Sequence, residues 1–102
     1  MPKKLKPVHP GEILREEFMK PLGLNANKLA LALHVHAPTV YEIVNEQRGI
    51  SSDMALRLGY FLGTTPEFWA NLQSRYDLEV TRDKEAARLQ REVRPMKATV
   101  IG

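Results

Sequence analysis

The chain contains no cysteine. That removes disulfides and thiolate metal sites together and makes a reducing compartment its natural setting. No apolar run approaches the ~18 residues that a membrane-crossing helix needs. The basic start, Met1 to Lys6, is not followed by the apolar core of a secretion signal. A glycine-rich phosphate loop is missing, as are internal repeats and low-complexity tracts. Ser51, Ser52 and Ser74 have no histidine and acid spaced to activate them as nucleophiles. Histidine is scarce, and His34 and His36 stand two apart with no spaced carboxylate to complete a ligand set, so neither a metal nor a cofactor is expected. A strong excess of one charge is absent too. Fifteen Lys and Arg face twelve Asp and Glu, a net +3 that permits a polyanionic partner without demanding one. These absences predict a soluble, cytoplasmic, non-enzymatic protein with no membrane and no small-molecule substrate.

What is present is helical punctuation. The 102 residues suit one domain with one modest core. Residues 1–9 carry Lys3, Lys4 and Lys6 and read as a basic arm, either frayed or touching phosphates. A first helix is expected from near Gly11, with Glu12, Glu16 and Glu17 favouring its positive end, Ile13, Leu14 and Phe18 buried, and Pro21 and Gly23 ending it. Asn25 is a good N-cap for a second helix whose Ala26, Leu29, Ala30 and Leu33 form a narrow apolar stripe. After His34-Val35-His36 a third opens at Ala37-Pro38, with Val40, Ile43 and Val44 inward. Ser51 or Ser52 starts a fourth, with Met54, Ala55, Leu58, Phe61 and Leu62 as its stripe and Gly63 as its stop. Thr65-Pro66-Glu67 starts a fifth. A charged segment from about Thr81 to Val93 continues helically until Arg94-Pro95. No segment before Lys97 alternates with the period of a strand, so the fold class is all-α.

Two short helices joined by the three residues His34 to His36 match a helix-turn-helix. In such a unit the first helix crosses the DNA backbone and the second offers its outer face to the major groove. Ala30 is small enough for a close crossing, Val35 plugs the turn, and Leu29, Leu33, Val40 and Ile43 make the seam. Many such units carry glycine where His34 stands, a position expected at positive φ, which histidine tolerates better than most. An ordinary helical hairpin in a small bundle would show the same periodicity.

The flanking blocks sharpen the reading. His9-Pro10-Gly11-Glu12-Ile13-Leu14 is followed by Leu29-Ala30, Glu42-Ile43-Val44-Asn45, Arg48-Gly49-Ile50-Ser51 and Ala55-Leu56-Arg57-Leu58. Pro66-Glu67-Phe68-Trp69, Asn71-Leu72-Gln73 and Tyr76-Asp77-Leu78 complete the series. Over residues 8–80 it resembles the HigA-type antitoxins, a branch of the Xre/Cro-like helix-turn-helix proteins. The resemblance implies a five-helix, lambda-repressor-like domain over residues 10–80 with a C-terminal helical extension and tail at 81–102. It further implies a homodimer on a palindromic operator in double-stranded DNA, repression of the protein's own operon, and neutralisation of a RelE-like mRNA-cleaving toxin. Two alternatives stay open: a regulator without a toxin, and a toxin inhibitor that has lost DNA binding. Family members often carry Gly-Lys where this chain has Glu46-Gln47.

The helical wheel of the third helix selects the DNA-facing residues. His36, Ala37, Pro38, Thr39, Tyr41 and Asn45 lie at its entry or on its outer and flanking faces. Arg48, just past it, is the expected phosphate clamp. Asn27 and Lys28 begin the second helix, where backbone contacts form. Glu42 is awkward beside phosphates; although it can accept from cytosine N4, it is better read as the partner of a nearby arginine or as a device that rejects wrong sequences. Phe68, Trp69, Leu72 and Tyr76 want cover. They are expected to complete the core over the first and fourth helices and to share in the dimer seam.

Overall fold

A computed structural model describes residues 5–96. Lys3 and Lys4 of the basic arm, and the tail from Lys97, lie outside the described residues. Within them the chain is all-helical, with no strand. Helix α1 is continuous through Pro10–Ile13, Leu14–Met19 and Lys20–Leu22, the middle segment being π-helical. Helix α2 is Ala26–Leu33, α3 Ala37–Val44, α4 Ser52–Leu62 and α5 Pro66–Glu92.

The local signals act as cap chemistry predicts. The side chains of Asn25, Ser51 and Thr65 accept from the backbone N–H groups of Lys28, Met54 and Phe68 at 2.8, 3.1 and 3.1 Å. Gly23 and Gly63 close α1 and α4 in the left-handed region at φ 67° and 77°. Helix α1 starts one residue before the expected position, because His9 caps it: His9 Nδ1 accepts from Gly11 N–H at 2.8 Å. Burial lowers the His9 pKa below its ordinary 6.5, while the charges of Glu46 and Asp77 pull the other way. The lowered value keeps Nδ1 free to accept that bond.

Pro21 does not end α1, contrary to expectation; it lies inside the last segment. Proline has no N–H to donate and its ring crowds the carbonyl four residues back. The wider π turn directly before it opens the hydrogen-bond ladder, and Lys20 N–H reaches back five residues to the Arg15 carbonyl.

The core joins all five helices. Leu14 and Met19 of α1 meet Leu29, Ala30 and Leu33 of α2, Val40, Ile43 and Val44 of α3, Met54, Ala55 and Leu58 of α4, and Trp69 of α5. Phe18, Phe68 and Trp69 form an aromatic cluster, with ring centroids 5.2 Å apart for Phe18–Trp69 and 5.0 Å for Phe68–Trp69. Trp69 is 0% exposed and its Nε1 donates to Thr64 Oγ1 at 2.7 Å. The aromatic face of α5 thus does complete the core, but Trp69 has no surface left for a dimer seam, which corrects that part of the expectation. Leu72 and Tyr76 are half-buried; Tyr76 lies edge-on to the His9 ring at 4.8 Å, and Phe68 keeps 38% exposure.

Helix α5 runs unbroken past residue 80 for 27 residues, a length of about 40 Å at 1.5 Å per residue. Its second half leaves the body of the domain. The radius of gyration is accordingly 17.5 Å, against about 13 Å for a compact chain of 100 residues. No helix among the described residues is long and apolar enough to cross a membrane.

Candidate nucleic-acid interface

Helices α2 and α3 are joined by His34, Val35 and His36. His34 adopts the left-handed conformation at φ 58° and ψ 45°, as the glycine-like position required. The chain then doubles back: Val35 N–H donates to the Ala30 carbonyl at 3.0 Å and His34 N–H to the Leu31 carbonyl at 3.3 Å. Val35 is half-buried against the core and holds the turn from inside.

The same device ends α3. Glu46 sits at φ 62°. Gln47 N–H donates to the Glu42 carbonyl at 2.8 Å and Glu46 N–H to the Ile43 carbonyl at 3.0 Å. A side chain at such a position costs roughly 1–2 kcal/mol of backbone strain. His34→Gly is therefore expected to stabilise the fold by about 1 kcal/mol, or roughly 4–8 °C in Tm. Calorimetry checks this, and an unchanged or lower Tm would mean that the turn stores no strain. Glu46→Gly should gain less, because it gives up the contact of Glu46 with Arg15, Nη1 to Oε2 at 3.7 Å.

Two arginines from outside the unit hold both of its helices by their C-terminal carbonyls. Arg15 of α1 donates from Nη1 to the Val44 carbonyl. Arg57 of α4 donates from Nη1 to the Leu33 carbonyl at 2.7 Å, and its Nε is held by Asp53 at 2.6 Å. A positive group at a helix C-terminus satisfies an orphan carbonyl and opposes the negative end of the dipole. Neither role is legible in the sequence. Their partners lie 29 and 24 positions away, and the only sequence sign was an arginine beside an apolar helical stripe.

The anchored unit turns one side outward. Asn27 and Lys28 are exposed on the first turn of α2. His36, Pro38, Tyr41 and Asn45 are exposed on α3 and its ends, Tyr41 by 46%. Thr39 is half-buried and lines a shallow cleft with Arg48, Ile50, Ser51 and Gln73. Ala37 is half-buried against the core, so its reach outward is that of one methyl group. Arg48 is exposed in the loop after α3, and its Nε donates to Glu42 Oε1 at 2.7 Å. Both acidic residues near this surface are thus answered by arginines, Glu42 by Arg48 and Glu46 by Arg15. The described part of the N-terminal arm lies elsewhere, with Leu5, Lys6 and Val8 lining a cleft with Ile13 and Leu72. Among the described residues no three His, Asp or Glu side chains are grouped to hold a metal ion.

No family model matches the chain. Curated proteins and solved structures do. Virulence-associated protein I of Dichelobacter nodosus is 52% identical over 80 residues, covering 78% of this chain and 74% of that protein. Antitoxin HigA-1 of Vibrio cholerae serotype O1 is 41% identical over 81 residues, covering 79% and 76%. Among solved structures, Pseudomonas aeruginosa antitoxin HigA with the higBA promoter is 48% identical, with a TM-score of 0.87 over 89% of this chain and 99% of that one.

Proposed function

The chain belongs to the HigA family of helix-turn-helix antitoxins, a family of antitoxins and transcriptional regulators and not of enzymes, and on that premise we propose that it is an operator-binding antitoxin. In this reading α3 enters the major groove while the start of α2 and Arg48 meet the backbone. The protein represses its own operon from the cytoplasm and holds a RelE-like mRNA-cleaving toxin inactive. The observation that carries the reading is the outward side of α2 and α3. Polar and aromatic side chains suited to phosphates and base edges stand there on helices anchored from behind by Arg15 and Arg57. The solved HigA relative with its promoter supports it. The pairing of Glu42 and Glu46 with arginines weighs against an inhibitor that has lost DNA binding, because an unanswered carboxylate on that surface would repel phosphates.

A homodimer belongs to this proposal, with half-sites about one helical turn, ~34 Å, apart. With Trp69 committed to the core, the seam falls to what α5 still exposes. Phe68, Leu72 and Tyr76 lie in its first half, Leu78 close to its middle and Leu89 on the projecting half.

The test is a titration of the chain's own upstream DNA at several salt concentrations, with wild type and Arg48→Ala. Wild type should shift that DNA specifically. Arg48→Ala should weaken binding to every sequence and lower the salt slope by about one, as loss of a single phosphate contact does. Absence of a specific shift, with or without the product of the adjacent reading frame, would overturn the reading.

A further inference from the structure

We propose that Glu42 is a positioning residue for DNA recognition: it fixes the guanidinium of Arg48 so that its outer edge meets a backbone phosphate. The inference rests on the DNA-binding reading above and deepens it. A carboxylate on the helix that faces DNA repels phosphates, so its presence needs a compensating use. The structure supplies one. Glu42 Oε1 accepts from Arg48 Nε at 2.7 Å, and that bond uses Nε alone. Both Nη groups lie outside it, and together they form the edge that engages two oxygens of a phosphate.

The pair also joins an exposed side chain to fixed ones. Glu42 stands on a helix turn whose neighbours Val40, Ile43 and Val44 are buried. Arg48 lies in the loop that follows. Two residues on, Ile50 N–H donates to Gln73 Oε1 of α5 at 2.7 Å. The loop is thereby held to α5 on one side and to α3 through Glu42 on the other. An arginine held in one geometry loses less side-chain freedom when it meets its phosphate.

The experiment measures operator and random-sequence binding at several salt concentrations for wild type, Glu42→Ala, Glu42→Gln, Arg48→Ala and the Glu42→Ala, Arg48→Ala double variant. Both side chains are partly exposed, so all five proteins should fold, as circular dichroism would verify. Glu42→Ala should lose roughly three- to tenfold in operator affinity, the worth of one oriented hydrogen bond, although it removes a negative charge. Glu42→Gln keeps an acceptor for Nε and should bind the operator at least as tightly as wild type. Adding Arg48→Ala to Glu42→Ala should cost much less than Arg48→Ala costs alone. Operator affinity of Glu42→Ala equal to or above wild type, with the full Arg48→Ala loss retained, would overturn the proposal while leaving the DNA-binding reading intact. A wild-type protein that shifts no DNA would overturn that reading and this proposal with it.

Discussion

Gly11→Ala is expected to destabilise the domain by about 3 kcal/mol or more, the upper part of the range for overpacking a filled core. A Cβ built on Gly11 would stand 1.8 Å from the Ile43 carbonyl oxygen and 2.8 Å from its carbon. Those are backbone atoms of α3, so no rotamer change relieves the clash. The two helices must separate. Separation strips cover from Leu14 and Ile43, each 1% exposed. It also draws Arg15 away from the Val44 carbonyl. For a domain of this size the loss corresponds to a fall in Tm of roughly 12 °C or more. Thermal unfolding followed by circular dichroism checks it. The prediction also reaches function, since α3 is the helix proposed to read DNA: near-native Tm together with weakened operator binding would show that the helix shifts and the fold repacks around it. Near-native values of both would refute the close approach.

Trp69→Ala should be of similar size or larger, about 3–5 kcal/mol for emptying a core aromatic site. The indole is fully buried, contacts Phe18 and Phe68, and donates Nε1–H to Thr64 Oγ1. Thr64→Val separates the two contributions. It leaves the packing and strands the indole N–H, at a cost of about 1–3 kcal/mol. Chemical denaturation of both variants would measure the split, and a Trp69→Ala protein within 1 kcal/mol of wild type would contradict its place in the core. The result bears on assembly as well. A Trp69→Ala, Leu72→Ala variant that fails to dimerise would report an unfolded protomer and not a broken seam. Polar substitutions at the exposed Leu78 and Leu89 test the seam without touching the core, read by analytical ultracentrifugation.

Helix ends were legible because their causes are local. Asn25, Ser51 and Thr65 each cap an N–H three residues on, and such pairs can be seen in a string of letters. His34 is a further case: a glycine-like position in a three-residue turn dictates positive φ whatever surrounds it. At Pro21 the sequence misleads for an equally physical reason. Proline ends a regular α-helix, but a π turn placed before it removes the conflict, and no residue type announces that turn.

Sequence alone therefore determined the all-α class, the five helices, the helix-turn-helix at Asn25 to Arg48 and, through blocks in order from His9 to Leu78, the family. Periodicity, caps and motif order act within a few residues or along the chain, so they need no coordinates. Tertiary structure decided everything that depends on which distant atoms meet. It explained Gly11 by the carbonyl of Ile43 and assigned Arg15 and Arg57 to the ends of α3 and α2. It withdrew Trp69 from the surface, because burial of a large aromatic face depends on how closely α1 and α4 approach α5. It also showed that the arginine answering Glu42 is Arg48, the expected phosphate clamp, since only the turn after α3 brings their charged ends to 2.7 Å.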